Sequence, residues 1–173
     1  ENFYSNTKSN KSLPSKVVDA QLDSFLKHIG QQDLLEQHSI SGSNMLIKSP
    51  LITYGNHTYN HYVMSSLSRE EQRYEILENQ KLLEKLNLNL SKVLSIPFGN
   101  SRDLNSETLN LVGELGFSGI LYSRSRLNFP NIKSHPEPFA LERFMASDNM
   151  RDFHKHFLRM TKDSTKRFVR NLR

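Results

Sequence analysis

Short apolar runs alternate with helix-periodic segments along most of this chain, and that alternation limits its fold more than any other feature. Met45 to Ile47 and then Leu51 to Tyr54 read as a buried strand. Ser68-Arg69-Glu70-Glu71 is a capping box, in which the serine accepts from the backbone and Glu71 reaches back. It opens a helix to about Leu86 with Tyr74, Leu77, Leu83 and Leu86 as its apolar contacts. Lys92 to Ile96 reads as a second strand, ended by Pro97-Phe98-Gly99. A helix from about Ser106 comes next, with Leu109, Val112 and Leu115 on one face and Gly116 as its stop. Phe117 to Tyr122 is a third strand. Strand, helix, strand, helix, strand is the pattern of βαβ units and a parallel sheet, an α/β fold. In such folds the chemistry gathers at the C-terminal ends of the strands.

The flanks are less regular. Residues 1–16 are rich in Ser, Asn and Lys and read as a loose lead-in. Val18, Leu22, Phe25, Leu26 and Ile29 then recur at helical spacing before Gly30. Pro130, Pro136 and Pro138 make residues 123–138 a loop, and Phe139 to Met145 reads as a last strand. The C-terminal segment is a basic helix with Phe153, Phe157, Met160 and Phe168 as its buried stripe. The 173 residues are expected to form a single domain: lead-in and helix to residue 45, a core over 46–150, and the basic helix over 151–173.

Composition narrows the chemistry. There is no cysteine, so thiolate metal sites, disulfides and cysteine nucleophiles are out, and a metal would have to be held by His, Asp, Glu or water. No apolar run approaches the ~18 residues of a membrane span. The N-terminus has no apolar signal region, and it begins with Glu1 rather than Met, as expected of a fragment or processed chain. Cytoplasm and cell envelope both stay open as locations. The net charge of +5 comes from the tail, where eight Lys and Arg from Arg151 onward face only Asp152 and Asp163. A solvated helix face explains that charge, and no nucleic-acid module accompanies it, so no nucleic-acid partner is expected.

Behind the first strand, Gly55-Asn56-His57-Thr58-Tyr59-Asn60-His61 places two histidines four apart. That spacing lets two imidazoles reach one ion. With seven histidines in the chain, chance alone supplies about 0.3 such pairs. Spacing therefore leaves surface or capping histidines as an open alternative. Gly55 lets the backbone turn, Thr58 can fix the turn locally, and Asn56 and Asn60 are polar supports.

GNHTYNH resembles the H-[ST]-x-x-H motif of the polysaccharide deacetylase family, the NodB-homology domains of carbohydrate esterase family four. IPFGN resembles that family's next motif, an Arg-x-Pro-aromatic-Gly loop, and ELGFSGILYS and LERFMASDN resemble its later segments. The similarity spans about residues 46–150. It implies a partial distorted (β/α) barrel and metal-dependent removal of acetyl groups from an acetylated polysaccharide or oligosaccharide. It also implies a divalent metal, zinc first and cobalt or nickel as alternatives, held by two histidines and an aspartate. His57 and His61 match the histidines. Phe98 matches the residue whose backbone N–H stabilises the oxyanion. Pro97, Gly99 and Arg143 fall where substrate would lie. Arg124, Arg126 and Arg143 could bind sugar hydroxyls or a carboxylate, with solvated surface charge the expected role of the first two.

The chain departs from the family pattern in several places. No Thr-Phe-Asp-Asp motif precedes the histidines, so the third ligand and general base are missing, and Asp19 and Asp23 fall inside the first helix. Ser95 stands where the loop motif has its arginine. There is no Trp and no Asp-x-x-Asp-Trp motif, and nothing matches the late Leu-x-His; His135 is the nearest candidate acid. Two histidines alone bind an ion weakly, so the chain is expected to hold metal poorly and to be impaired. Asp103 is the substitute ligand to consider. A non-catalytic glycan-binding relative is the alternative reading, and a binder of nucleic acid or membrane surface through the tail is a third. A missing first strand would leave an unpaired sheet edge, which favours a homo-oligomer.

Overall fold

A computed structural model describes residues 12–34, 46–128, 139–144 and 146–171. Its order is α1 (Ser15–His28), β1 (Tyr54–Asn56), a 3₁₀ turn (Met64–Ser66), α2 (Arg69–Lys85), β2 (Leu90–Ser95), α3 (Ser106–Glu114), β3 (Gly119–Tyr122), β4 (Phe139–Glu142) and α4 (Met150–Asn171). The four strands form one sheet in sequence order, β1-β2-β3-β4, and every neighbouring pair is parallel. Parallel neighbours need crossover connections, and α2 and α3 provide the first two. All four strands therefore end on the same edge.

The core lies between the sheet and these two helices. Leu94, Ile96 and Ile120 from the sheet pack with Ile76, Leu111 and Val112 from the helices and Met64 from the 3₁₀ turn. The capping box forms as expected: Ser68 Oγ accepts from Glu71 N–H, and Glu71 accepts from Ser68 N–H at 2.8 Å. Asn105 and Thr108 make the same reciprocal pair at the start of α3. Arg69 bridges the two helices, donating to Glu107 and Glu114 at 2.6 Å each.

Several expected contacts fall elsewhere. The strand expected at Leu51–Tyr54 begins only at Tyr54, and Leu51 is 93% exposed. Pro50 has no N–H to give a ladder, and Ile52 N–H turns back to Ser49 O at 3.1 Å, so the run Ile47–Leu51 is an approach loop. On α2, Tyr74 is 54% exposed; the buried positions are Gln72, Glu75 and Ile76. On α3, Leu109 points outward, and Thr108, Leu111 and Val112 make the buried face. On α4, Met160 and Ser164 are buried while Phe157 is partly exposed. The Phe168 side chain, Met45, Met145, Pro130, Pro136 and Pro138 lie outside the described residues.

Candidate functional site

The site residues of the first two strands meet because the loops after β1 and β2 leave the same sheet edge. The β1–β2 register is irregular: Tyr54 faces Leu90 but Asn56 faces Leu94. This irregularity lies directly before the histidine loop, where such distortions commonly re-aim the chain. Asn56 is buried, and it organises the start of that loop. Its Oδ1 accepts from Thr58 N–H at 3.0 Å and from Asn79 Nδ2 at 3.1 Å, and its Nδ2 donates to Ile76 O at 2.9 Å. One turn further, the buried Glu75 accepts from the N–H and the Nδ2 of Asn60, both at 2.7 Å. The loop needs such clamping, because Thr58 and His61 both adopt positive φ, 68° and 58°, a region that costs non-glycine residues energy.

Within that loop the rings of His57 and His61 lie 4.7 Å apart, edge to face. His57 Nδ1 lies 2.8 Å from Ser95 O. A carbonyl can only accept, so Nδ1 carries the proton and the neutral ring keeps its lone pair on Nε2. This is the kind of backing contact that orients metal-ligating histidines. Ser95, which occupies the place of the motif's arginine, thus contributes through its carbonyl. His61 also packs against Phe98, with centroids 4.9 Å apart.

The Phe98 loop is itself strained. Gly99 N–H donates back to Pro97 O at 2.7 Å across Phe98, whose φ is +62°; this is a γ-turn of the rarer, strained hand. Gly99 has φ +74°, and its carbonyl accepts from Ser123 N–H at 2.9 Å. A Cβ at Gly99 would come within 2.5 Å of the Ser123 backbone nitrogen. The glycine therefore locks the loop to the end of β3.

At the far end of the edge, Arg143 comes directly after β4 and its N–H bonds Tyr122 O at 2.9 Å. Arg124 is not free surface charge as expected: it pairs bidentately with the mostly buried Glu142 and stacks over Tyr122 at 3.9 Å. Arg126 approaches Glu142 at 4.0 Å.

Would these residues suit a metal ion? Two imidazoles on one tetrahedral ion with Zn–N of about 2.0–2.1 Å put their ring centroids about 5 Å apart, close to the separation observed here. Among the described residues, two buried hydroxyls next to the pair in the chain or in its contacts, Thr58 Oγ1 and Ser95 Oγ, have no hydrogen-bond partner, which marks the spot as polar and incompletely satisfied. Among the described residues no third His, Asp or Glu joins the histidines. Asp103 is spent otherwise, its Oδ2 accepting from Asn100 N–H at 2.7 Å. Asp19, on α1, reaches the hydroxyl of Tyr62 instead; burial, and then Asp19, push that phenol up to about 12. His135 lies outside the described residues.

Sequence reasoning passed over Glu75, Asn79 and Gln72. Together with Ile76 they show i, i+3, i+4, i+7 spacing, a signal that was present but carried by polar residues.

A parallel sheet whose strand-end loops carry a histidine pair and a Pro-Phe-Gly turn defines an α/β domain with its candidate site at the C-terminal strand ends. The family model for polysaccharide deacetylase matches residues 32–120, just over half of the chain. The chain belongs to the polysaccharide deacetylase family, a family of carbohydrate esterases that act on acetylated polysaccharides. The match includes His57, His61 and Pro97–Gly99; Arg143 and His135 lie beyond it. No curated protein and no solved structure matches the chain. Among the described residues no helix is long and apolar enough to cross a membrane.

Proposed function

We propose that this domain carries the metal-holding and oxyanion-binding parts of a deacetylase that hydrolyses an acetyl amide or ester on a glycan. The observation that carries the reading is the His57–Ser95 hydrogen bond, which fixes the tautomer and turns the ring's lone pair away from the strand. His57 and His61 would hold a divalent ion, zinc first, with cobalt and nickel as alternatives. Such an ion, when bound, polarises an acyl carbonyl and lowers the pKa of water. The chain's own residues do the rest. The Phe98 main-chain N–H is the donor for the developing oxyanion, held in place by its γ-turn. Pro97 and Gly99 wall the acyl group. The four parallel strands are consecutive staves of a distorted (β/α) barrel, whose strand ends carry the chemistry.

Two imidazoles give an ion little affinity without a third protein ligand. Calorimetric titration of the chain with zinc and with cobalt is therefore expected to show one-to-one binding weaker than micromolar, lost in both His57→Ala and His61→Ala. Zinc binding that neither substitution changes would overturn the metal assignment. The donor set also favours a second reading, a relative that binds acetylated glycan without hydrolysing it. Acetate release from acetylated chito-oligosaccharides decides between them: release that depends on both histidines removes the second reading, and binding without release removes the first.

A further inference from the structure

The C-terminal helix has no role in the chemistry proposed for the strand edge, yet its outer face is ordered. α4 is strongly amphipathic. Met160 and Ser164 are buried, Ser164 Oγ accepts from Leu127 N–H at 3.3 Å, and Phe153 and His156 lie against Phe144. These residues mark the side turned to the domain. Successive helix residues advance by about 100°. Arg151, Lys155, Arg159, Lys162 and Lys166 therefore share one arc of about 80°, opposite the buried side, and all five are exposed. The stripe they form is about 22 Å long, at about 1.5 Å per residue. Asp152 and Asp163 border it on one flank only. Lys155 meets Asp152 at 3.7 Å with both side chains mostly exposed, an ion pair of little strength.

The other flank is apolar. Met150, Phe157 and Leu158 share an adjoining arc of about 100° and are 66%, 41% and 68% exposed. Leu158 lies one turn from Lys155 and one turn from Lys162, at the border of the two arcs. Thr161 and Thr165 stand among the apolar residues, but their hydroxyls donate back to Phe157 O and Thr161 O, both at 2.9 Å. Such back-bonded hydroxyls do not depend on water for an acceptor. His154 completes the arc, and an imidazole has an apolar body with a polar tip. An apolar edge beside a cationic edge is the pattern of a helix that lies in a lipid–water interface.

We infer that the exposed face of α4 docks this domain on an anionic lipid surface. Met150, Phe157 and Leu158 enter the boundary between headgroups and acyl chains, and the five cations extend from the flank to the lipid phosphates, as long basic side chains do. Charge complementarity selects an anionic partner, and the apolar flank selects lipid among anionic partners, because nucleic-acid phosphates draw on the cations alone. Each basic side chain held near an anionic leaflet raises partition roughly fivefold, and salt screens that gain. The inference goes beyond the deacetylase reading and needs neither metal nor glycan. It places the strand-edge site at a membrane surface.

The test is co-sedimentation of the full chain with vesicles of phosphatidylcholine alone and with vesicles in which about one lipid in three is phosphatidylglycerol. The anionic vesicles are expected to bind at least about tenfold tighter, with the gain falling as salt rises. Lys155→Glu combined with Lys162→Glu should remove the gain. Leu158→Ser, which leaves the charge unchanged, should weaken anionic binding severalfold. Arg151→Gln combined with Lys166→Gln, at the two ends of the stripe, should also weaken it severalfold and guards against misfolding of the first pair. Lys48→Glu combined with Arg73→Glu makes the same change in net charge at exposed positions outside α4 and should leave binding within about twofold. Equal binding to the two kinds of vesicle overturns the inference. So does an equal loss in the Lys48 and Arg73 pair, which would assign the effect to net charge. Wild-type vesicle binding by Leu158→Ser, or binding to duplex DNA as tight as to the anionic vesicles, overturns the choice of lipid. Zinc titration of the α4 variants should match the wild type, so failure of this inference leaves the histidine site untouched, and zinc binding indifferent to His57 leaves vesicle docking untouched.

Discussion

The carboxylate of Glu75, in the second turn of α2, accepts two hydrogen bonds at 2.7 Å from Asn60, one from its main chain and one from its side chain. A helix thereby grips the loop between the two histidines from behind. Hydrogen bonds to a charged group contribute about 1.5–3 kcal/mol. Glu75→Ala is expected to destabilise the domain by about that amount, and Glu75→Gln by less, because one acceptor oxygen remains. Chemical denaturation measures the first effect. The sharper readout is zinc titration: a loosened loop should weaken binding in Glu75→Ala although the residue touches neither imidazole.

Gly99 meets two constraints at once, a φ of +74° and a 2.5 Å approach to the Ser123 backbone. Backbone cannot retreat as a flexible side-chain tip can. Gly99→Ala should therefore cost about 1–3 kcal/mol from the conformational strain alone, with the clash adding to it. Thermal unfolding will show whether it does. A variant as stable as the wild type would mean that the loop is not locked to β3.

Tyr62 gives a pH signature. Its phenol is pushed up to about 12 from 10.0, chiefly by burial and then by Asp19. A group with a raised folded-state pKa holds its proton more tightly when folded. Its contribution to stability is thus complete below pH 10 and is lost as the pH rises from 10 toward 12. Stability measured by denaturant titration across that window should decline more steeply in the wild type than in Tyr62→Phe. Parallel curves would show that the Tyr62 phenol is not raised in the folded protein.

The capping box at the head of α2 supports the same helix that carries Glu75. Ser68→Ala leaves the Glu71 N–H without its acceptor and should cost about 1 kcal/mol. Glu71 also pairs with Lys16 on α1, and that contact is the main reason its carboxyl is held below its usual range. Lys16→Ala should raise that carboxyl, as an NMR titration of the Glu71 side chain will detect, and should change stability little, because both partners are exposed.

The sequence alone determined the parallel βα order, the start of α2 at its capping box, the ends of the helices at Gly30 and Gly116, and the two strand-end motifs. Each of these is a local signal: a period, a cap or a turn residue is written in consecutive positions and needs no distant partner. The family emerged from the same motifs. Tertiary structure decided the rest. It moved β1 to Tyr54–Asn56, since a strand begins where a neighbour's ladder can receive it and not where the apolar run begins. It gave the inward face of α2 to Glu75 and Asn79, because the loop they cover presents amides that a leucine could not satisfy, and to Gln72, which donates to Leu67 O and accepts from the Thr108 hydroxyl. It turned Arg124 from surface charge into the partner of Glu142, residues brought together only when β3 and β4 lie side by side. His57 and His61 could be read from their spacing as a pair. That His57 is aimed by the carbonyl of Ser95, at the end of the neighbouring strand, depends on a contact that exists only once the sheet has formed.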